Sequence, residues 1–449
     1  MLSPEDNALV TGVGPGTPGG DLMRRYWQPF TGSSEIRKRK VMSVRLLGED
    51  LVLFIDKSGN LGLVDAFCAH RRLRLGVGYP VENGIRCPYH SWTYDAKGRC
   101  IAQPGEPANS RMKDHVKIKS YPVQELGGMV FAYLGPEPAP LLPRWDYLVD
   151  DRMLRQIGFV IAPYNWLQGM ENSYDAVHAE MLHGNYFKHV LDEAGDPNDP
   201  RYDVTVNAFT TPHQEVRYDR ADYGFLRRVI LEGQSETADT FKVGHAKMFP
   251  NITTINAGGT CTSTYQVPID ETHTLYIGHR GYKFPEWVEV PEQKSENVPW
   301  FPIPTHDADG NWIQDDIVAQ DIMVMTQQGP ILDRSLEVLG QTDVGIVQFR
   351  RLLKEQILAV QDGQDPINTY RDNAANRRLE LPHSKNFYDR GVFGDTRAFS
   401  YRRGSATGSL GLQNSPINDV IEDLYVKAAE LSPPSCGRVS VRQEAARAC

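Results

Sequence analysis

The chain has 449 residues, 48 basic and 57 acidic side chains, and a formal net charge of −9. This length allows two or three domains with a buried core, and the acidic balance argues against a nucleic-acid partner. No apolar run approaches the roughly 20 residues that span a bilayer, the N-terminus lacks a signal-peptide pattern, and the few cysteines do not form a secreted disulfide framework. We therefore expect a cytoplasmic protein without a membrane partner.

The first part of the chain is predicted to consist mostly of β-strands. Short runs of β-branched and aromatic residues end at Gly, Asp or Asn, and they lie at 41–47, 51–55, 62–66 and 129–134. A Pro-rich segment at 135–143 interrupts this pattern and is the best domain boundary.

The second part mixes helical and strand patterns. Residues 165–188 have helical spacing, and strand patterns follow at 202–209, 213–218, 224–232, 239–256, 261–268 and 273–280. Helical spacing returns between residues 317 and 361, whereas the last ~50 residues show little periodicity and are predicted to be irregular. The order of elements indicates an α+β fold rather than alternating βαβ units. We predict domains at 1–145 and 146–400, followed by a tail at 401–449.

A first group of candidate ligands lies in two Gly- and Pro-containing loops. Cys68-Ala-His70 and Cys87-Pro-Tyr-His90 are separated by 16 residues. Two thiolates and two imidazoles can bind either a structural zinc or a [2Fe–2S] cluster, in which the cysteines hold one iron and the histidines the other. The ligand order favours the cluster, because one Cys and one His in each loop can span both irons. The aromatic residues at 89 and 92 are either core residues or a shield for the metal.

A second group consists of Asn172, Asp175, His178 and His183, at steps of three, three and five residues. Residues three apart share a helix face, but a step of five rotates roughly 140° on an ideal α-helix. The two imidazoles can therefore reach one point only at a π-bulge or a helix end, and Gly184 suits an end. The apolar neighbours favour a buried metal site over a solvated stripe.

Two histidines with a carboxylate from elsewhere form the facial triad typical of non-haem Fe(II) oxygenases. We favour Asp321 as the third ligand, because it is an acid in an otherwise apolar helical stretch. The alternative is that Asp321 is a capped or salt-bridged acid of an amphipathic helix. Asp315 and Asp316 are rival ligands, but their position is more typical of a helix N-terminus.

Together these motifs resemble the oxygenase (α) subunit of Rieske non-haem iron aromatic-ring hydroxylating oxygenases, in particular the phthalate dioxygenase-like branch. The resemblance runs from about residue 1 to 360 and also rests on Arg24-Arg-Tyr-Trp27, Cys68-Ala-His-Arg-Arg72 and Gln328-Gly-Pro-Ile331. It implies an N-terminal all-β Rieske domain followed by a helix-grip catalytic domain, in which a curved antiparallel sheet holds helices.

The resemblance also implies roles for the candidate residues. A [2Fe–2S] Rieske cluster would be bound by Cys68, His70, Cys87 and His90, and a mononuclear Fe(II) by His178, His183 and Asp321. Asn172 and Asp175 would be catalytic residues, with Asp175 linking a cluster histidine of the neighbouring subunit to an iron-binding histidine of its own. A homotrimer or hexamer is implied, together with O2 and a reductase with a flavin and/or ferredoxin domain.

The expected reaction is hydroxylation or oxidative demethylation of an aromatic, favourably carboxylated, substrate. A buried carboxylate needs a cation, and the candidates on predicted strands are Arg217, Arg227, Arg228 and Lys247. His213, His245 and His279 could line the same cavity. The alternative functions are a zinc-stabilised binding protein without redox activity, which leaves the second group unexplained, and an electron carrier, which needs only the first domain.

Overall fold

The computed structural model describes residues 2–199, 201–202, 206–257, 260–382 and 415–431. The α-helices are α1 (Pro4–Thr11), α2 (Pro18–Arg24), α3 (Ser33–Arg39), α4 (Asp146–Val149), α5 (Trp166–Tyr174), α6 (Phe187–Ala194), α7 (Asn207–Phe209), α8 (Asp239–Lys242), α9 (Ile317–Gln327), α10 (Val344–Gln361) and α11 (Asn418–Glu430). A π-helix, Ala179–Tyr186, lies directly before α6.

The N-terminal strands form three small antiparallel sheets. They are β1 (Trp27–Gly32), β2 (Val41–Leu46), β3 (Glu49–Ile55), β4 (Leu61–Asp65), β5 (Tyr79–Val81), β6 (Gly84–Arg86), β7 (Thr93–Tyr94), β8 (Cys100–Ala102), β9 (Ser120–Tyr121), β10 (Val123–Leu126) and β11 (Met129–Tyr133). The sheet orders are β2-β3-β4-β9, β5-β6-β7-β8 and β1-β11-β10. The four strands predicted in this region are confirmed.

The sequence of strand β3 is a continuous apolar run from Leu51 to Ile55 because the strand is buried on both faces. Val52 and Phe54 belong to the core beneath the Cys and His loops, whereas Leu51 and Leu53 belong to the larger core shared with the rest of the chain. Because alternate residues of a strand point to opposite faces, β3 is buried on both sides.

The second part of the chain forms one eight-stranded sheet. Its strands are β12 (Met153–Ala162), β13 (His213–Ala221), β14 (Gly224–Leu231), β15 (His245–Met248), β16 (Ile252–Ala257), β17 (Thr260–Pro268), β18 (Thr274–Lys283) and β19 (Trp300–Pro302). The order is β13-β14-β15-β16-β17-β18-β12-β19, antiparallel except for the β12–β19 pair. A β module followed by an antiparallel sheet with helices confirms the predicted α+β class.

Two strand predictions are wrong. Residues 207–209 lie in α7 rather than in a strand, because Val206 packs on Phe187 and Leu191 of α6 and this tertiary contact outweighs the local β-propensity. The predicted run 239–256 divides into α8, β15 and β16. Gly244, with φ of 70°, separates the first two, and a turn at Phe249-Pro250 separates the last two.

Helices α5, α9 and α10 cover one face of the large sheet, which we call the helix-bearing face. Residues directly opposite each other in an antiparallel pair lie on the same face, so Val160, Tyr276 and Gln266 share it. Val160 and Tyr276 pack against apolar residues of α9, and Gln266 lies under Gly169 of α5. The face thus carries the helices that hold the second group of candidate ligands.

The C-terminal segment was expected to be irregular, but α11 contradicts this for the residues that the structure describes. Ile421, Leu424 and Tyr425 lie at helical spacing. They pack on Tyr282 of β18 and on Phe284, which follows the strand. The predicted boundary at residue 400 lies outside the described residues. Within the described ranges, no helix is both long and apolar enough to cross a membrane.

Candidate metal centres

The two cysteine loops have the same backbone arrangement. In each loop the cysteine N–H donates to the carbonyl five residues later at 2.9 Å, and the cysteine carbonyl accepts from the N–H four residues later at 3.0 Å. The residues four positions after Cys68 and Cys87 are Arg72 and Ser91, with left-handed φ angles of 56° and 61°. Equivalent backbone turns therefore present both thiols.

The four side chains converge as a metal site requires. Cys68 and Cys87 are 1% and 2% exposed, and the rings of His70 and His90 lie 4.4 Å apart. His70 Nδ1 is buried and has no hydrogen-bond partner in the described part of the chain. Leaving a buried imidazole nitrogen unpaired is costly, so a metal at this position fits the donor set. Trp92 is buried and stacks on His70 at 4.6 Å, which makes it both a core residue and a shield.

Tyr94 is a residue that the sequence interpretation missed. Its Oη lies 3.3 Å from Cys68 Sγ and accepts from Ala69 N at 3.1 Å. Burial, followed by the contact with Cys68, raises the pKa of Tyr94, so its hydroxyl stays protonated and can donate to the sulfur. Hydrogen bonds to ligand sulfurs tune the potential of such clusters. No sequence pattern singles it out, because β7 has only two residues and both are buried.

The polar residues of the second group do not lie on one continuous helix, so that expectation is wrong. Helix α5 ends at Tyr174, and Asp175 has extended backbone angles of φ −87° and ψ 113°. Its Oδ1 accepts from Val177 N at 2.9 Å and from His178 N at 3.2 Å. A carboxylate that accepts from the first free N–H groups starts a new helical segment, and the backbone can thus re-aim before His178.

The π-helix at Ala179–Tyr186 accounts for the five-residue step from His178 to His183. Hydrogen bonding from i to i+5 brings His178 and His183 to one side, and their rings lie 5.2 Å apart at 81°. The π-bulge alternative is therefore confirmed, whereas Gly184 is not a helix end. Gly184 is needed for close packing, because a Cβ there would lie 2.8 Å from a main-chain carbon of Phe209.

Asp321 reaches the same point from α9. Its Oδ1 lies 3.1 Å from His183 Nε2 and 3.7 Å from His178 Nε2, and the three ligand atoms lie within 4.8 Å of one another. Asp316 instead accepts from Ala319 N at 2.9 Å as the N-cap of α9, and Asp315 forms an ion pair with Arg201. The structure thus brings Asp321, rather than its two rivals, to the imidazoles.

Neighbouring groups orient all three side chains. His183 Nδ1 donates to Gln320 Oε1 at 2.9 Å, and His178 Nδ1 donates to the main-chain oxygen of Asp175 at 2.6 Å. Each histidine therefore directs Nε2 toward Asp321, as metal-binding imidazoles do. Asn172 Nδ2 donates to Asp321 Oδ1 at 3.1 Å. Asp175 thus contacts the imidazole of His178 through its main-chain oxygen, whereas its carboxylate contacts only the main-chain N–H of that histidine.

Gln320 was also missed, although a polar residue beside Asp321 in an apolar helix is a signal for it. The electrostatics favour a cation among these groups. Burial raises the pKa of Asp321, but the imidazoles and Asn172 outweigh this, so the pKa lies below its usual value. Burial lowers the pKa of His178. At His183 burial is outweighed by Asp321 and Gln320, so the pKa is raised and the carboxylate attracts positive charge to this point.

The candidate basic residues separate into two sets. Arg217 and Arg228 are opposite each other on the other face of the large sheet, which we call the outer face, and they pair there with Glu215 and Asp219. Arg227 is one residue from Arg228 and lies on the helix-bearing face, as Lys247 does.

The three candidate histidines also differ in position. His213 Nδ1 lies 3.1 Å from Glu180 Oε2, and His279 lies on the outer face with its Nε2 3.1 Å from the carbonyl of Gly127. His245 lies on the helix-bearing face opposite Arg227. His213, opposite Leu231, shares this face but is paired with Glu180, so of the three histidines His245 alone lies directly beside Arg227 and Lys247.

Comparisons with known proteins agree with this geometry. Residues 26–122 match the Rieske [2Fe-2S] domain family, and residues 305–381 match the family described as LigXa C-terminal domain like. The chain is 40% identical to a 5,5'-dehydrodivanillate O-demethylase oxygenase subunit of Sphingobium sp. over 85% of this chain and 87% of the relative. It is 31% identical to a phthalate 4,5-dioxygenase oxygenase subunit of Pseudomonas putida, over 82% of this chain and 89% of the relative.

A solved structure supports the fold. The terminal oxygenase of carbazole 1,9a-dioxygenase from Novosphingobium sp. KA1 aligns with a TM-score of 0.55 at 21% identity, covering 79% of this chain and 98% of that one. The identity and coverage of the relatives show more than the fold. The chain belongs to the Rieske oxygenases, as an oxygenase subunit with a [2Fe–2S] cluster and a mononuclear iron.

Proposed function

We propose that His178, His183 and Asp321 bind the mononuclear iron, and that the two Cys–His loops bind the cluster. The observation that carries this assignment is the convergence of the three ligand atoms to within 4.8 Å. When bound, the cluster supplies electrons one at a time and the iron supplies open positions for O2. A zinc-stabilised protein or a simple electron carrier would leave this second convergence without a use.

The side chains around the iron site orient the ligands and exclude water. Gln320 fixes His183, and Asn172 holds Asp321 by the hydrogen bonds described above. Tyr164 and Tyr276 are buried beside α9. Burial raises the pKa of both, and the charge of Asp321 contributes to this. Such a fixed, largely dry environment strengthens the interaction of the carboxylate with a cation.

Electron transfer is proposed to cross a subunit boundary. Within one chain, no hydrogen bond or ring contact joins His70 or His90 to the described residues of the iron site. Oδ2 of Asp175 accepts no hydrogen bond from any described residue, and the imidazole of His90 is exposed. Contact between Asp175 of one copy and a cluster histidine of the next would connect the centres in a closed homotrimer, alone or stacked as a hexamer.

The proposed substrate is an aromatic carboxylate that is hydroxylated or oxidatively demethylated. The names of the relatives include dehydrodivanillate, phthalate, phenoxybenzoate and 3-chlorobenzoate. Demethylation of an aryl methyl ether would consume O2, two electrons and two protons, and would release a phenol, formaldehyde and water. The electrons come from NAD(P)H through a separate reductase with a flavin and/or ferredoxin domain, and a cytoplasmic location stays a prediction.

A single-turnover experiment tests this function. The dithionite-reduced holoenzyme, freed of excess dithionite, is mixed with O2 and a panel of benzoates that includes methoxybenzoates. We expect loss of the reduced-cluster spectrum together with a hydroxylated product or formaldehyde. Variant Asp321→Ala is the negative control. Cluster reoxidation without product from any aromatic acid would contradict the proposed function.

A further inference from the structure

The helix-bearing face carries three basic side chains that have no counter-charge among the described residues. We call them the basic cluster: Arg227 of β14 with His245 and Lys247 of β15. Arg227 is directly opposite His245, and Lys247 is two residues further on the same face. The three are close enough to influence one another, because Arg227 and Lys247 both contribute to lowering the pKa of His245 after burial.

Lys247 is the most unusual member of the basic cluster. It is 1% exposed and forms no hydrogen bond or ion pair within the described ranges. Arg227 Nε and His245 Nδ1 are also buried without a hydrogen-bond partner in those ranges. Burial and the neighbouring Arg227 hold the pKa of Lys247 well below its usual value. A buried ammonium without an anion is unfavourable, and a bound anion would remove this cost.

The arginines that are buried as whole residues in the described part of the chain have partners, in contrast to the basic cluster. Arg334 donates to both carboxylate oxygens of Glu171, and Arg350 bonds Glu171 and Glu337. Arg155 donates to three main-chain carbonyls. Arg227 lies near the hydroxyl of Tyr218 but forms no ion pair with a described residue. The contrast indicates that Lys247 and Arg227 face an anion that is not part of the described chain.

The basic cluster lies next to the helix break that leads into the iron site. Phe225, opposite Lys247, packs edge-on against Tyr174 at 5.9 Å. Tyr218, opposite Arg227, donates to the main-chain oxygen of Tyr174, the last residue before Asp175.

On the other side, the basic cluster continues toward α9. Lys247 is opposite Thr253, and Thr253 is opposite Thr264 of β17. Thr264 forms a side-chain hydrogen bond with Tyr276. Burial, followed by the charge of Asp321, raises the pKa of Tyr276. The basic cluster therefore shares one sheet face with side chains that are next to the iron ligands.

We propose that Lys247, Arg227 and His245 form the subsite that binds the carboxylate of the aromatic substrate and so positions its ring toward His178 and His183. This inference rests on the proposed function and deepens it, because it names the recognised group. Arg227 supplies a fork of N–H donors and Lys247 a point charge, while the neutral imidazole of His245 supplies a hydrogen bond. The structure thereby ranks Arg227 and Lys247 above Arg217 and Arg228, which the sequence left equal.

Equilibrium binding to the holoenzyme without reductant tests the subsite. The probes are benzoate, phthalate and 3-methoxybenzoate, each compared with its methyl ester by calorimetry. We expect at least one acid to bind about tenfold or more tightly than its ester. Lys247→Met should weaken binding of that acid about 30-fold or more and leave ester affinity unchanged, because it removes one partner of a buried charge pair.

Two further variants make the result decisive. Lys247→Arg keeps the charge and should retain most of the preference for the acid, whereas Arg217→Gln, on the outer face, should change neither affinity. The cluster spectrum and the iron content check that each variant is folded, and Arg227→Gln replaces Lys247→Met if the latter is not. Equal binding of acids and esters, no binding of any acid, or an unchanged preference in the folded variant would overturn the inference. A retained preference without product in the single-turnover experiment would contradict the proposed function instead.

Discussion

The two candidate metal centres are built in different ways. The cluster site takes its four ligands from two loops within residues 68–90, and backbone hydrogen bonds set the same turn in each loop. The iron site takes its ligands from two helices that are far apart in sequence, and side-chain hydrogen bonds from Asn172 and Gln320 orient two of them. A backbone-built site tolerates the loss of a neighbouring side chain better than a site whose geometry depends on side chains.

The largest effect is expected from Asp321→Ala. Removing the carboxylate leaves two neutral imidazoles, which do not retain Fe(II), so the mononuclear iron and turnover are lost while the cluster remains. Iron content should fall from three to two per chain, with the visible spectrum unchanged. Asp315→Ala is the matched control and should keep all three. Full iron occupancy in Asp321→Ala would move the third ligand elsewhere.

Asp175→Asn should keep both metal centres and slow electron delivery about 10- to 100-fold, because the neutral amide is a weaker acceptor for the cluster histidine of the neighbouring subunit. The amide oxygen can still accept from Val177 N and His178 N, so the helix start is preserved. Stopped-flow measurement of cluster oxidation in the presence of O2 and substrate is the readout, with Ser173→Ala as the control. A wild-type rate would show that the carboxylate carries no electron path.

Gln320→Leu should weaken mononuclear iron binding about tenfold, because His183 loses the acceptor that fixes its tautomer. Dialysis of the holoenzyme against graded chelator measures the affinity. Gln320→Glu keeps an acceptor at the same place and should restore it. If Gln320→Leu binds iron as the wild type does, side-chain support is not what distinguishes this site.

Tyr94→Phe should have the smallest effect and should be confined to the cluster. Loss of one hydrogen bond to Cys68 Sγ destabilises the reduced cluster and lowers its potential by up to about 60 mV, equivalent to ~1.4 kcal/mol in a one-electron couple. Redox titration followed by absorbance is the measurement. Tyr89→Phe, at an exposed aromatic, should leave the potential unchanged. A shift in both variants or a loss of mononuclear iron would contradict the division between the two centres.

The contrast also explains what the sequence could predict. The cluster ligands follow from local spacing, because Cys68 to His90 fold as two neighbouring loops. The iron-site histidines were identified, and their five-residue spacing allowed a π-bulge or a helix end. Choosing between these required the packing of Gly184 against Phe209, and the break at Asp175 depends on its cap of the next helical segment. Gln320 and Tyr94 act through contacts across long sequence distances. Whether Arg227 or Arg228 lies on the helix-bearing face depends on the strand register. A shift of the register by one residue would exchange the two faces, and the composition would be the same.

We infer that one chain holds two separate iron centres, one in the Cys–His loops and one between α9 and the π-helix. Anomalous diffraction at the iron edge from crystals of the holoenzyme would locate both. We expect a two-iron peak between Cys68, Cys87, His70 and His90, and a single-iron peak bounded by His178, His183 and Asp321. Zinc in the loops, or imidazoles of His178 and His183 that point apart with no ion between them, would contradict it.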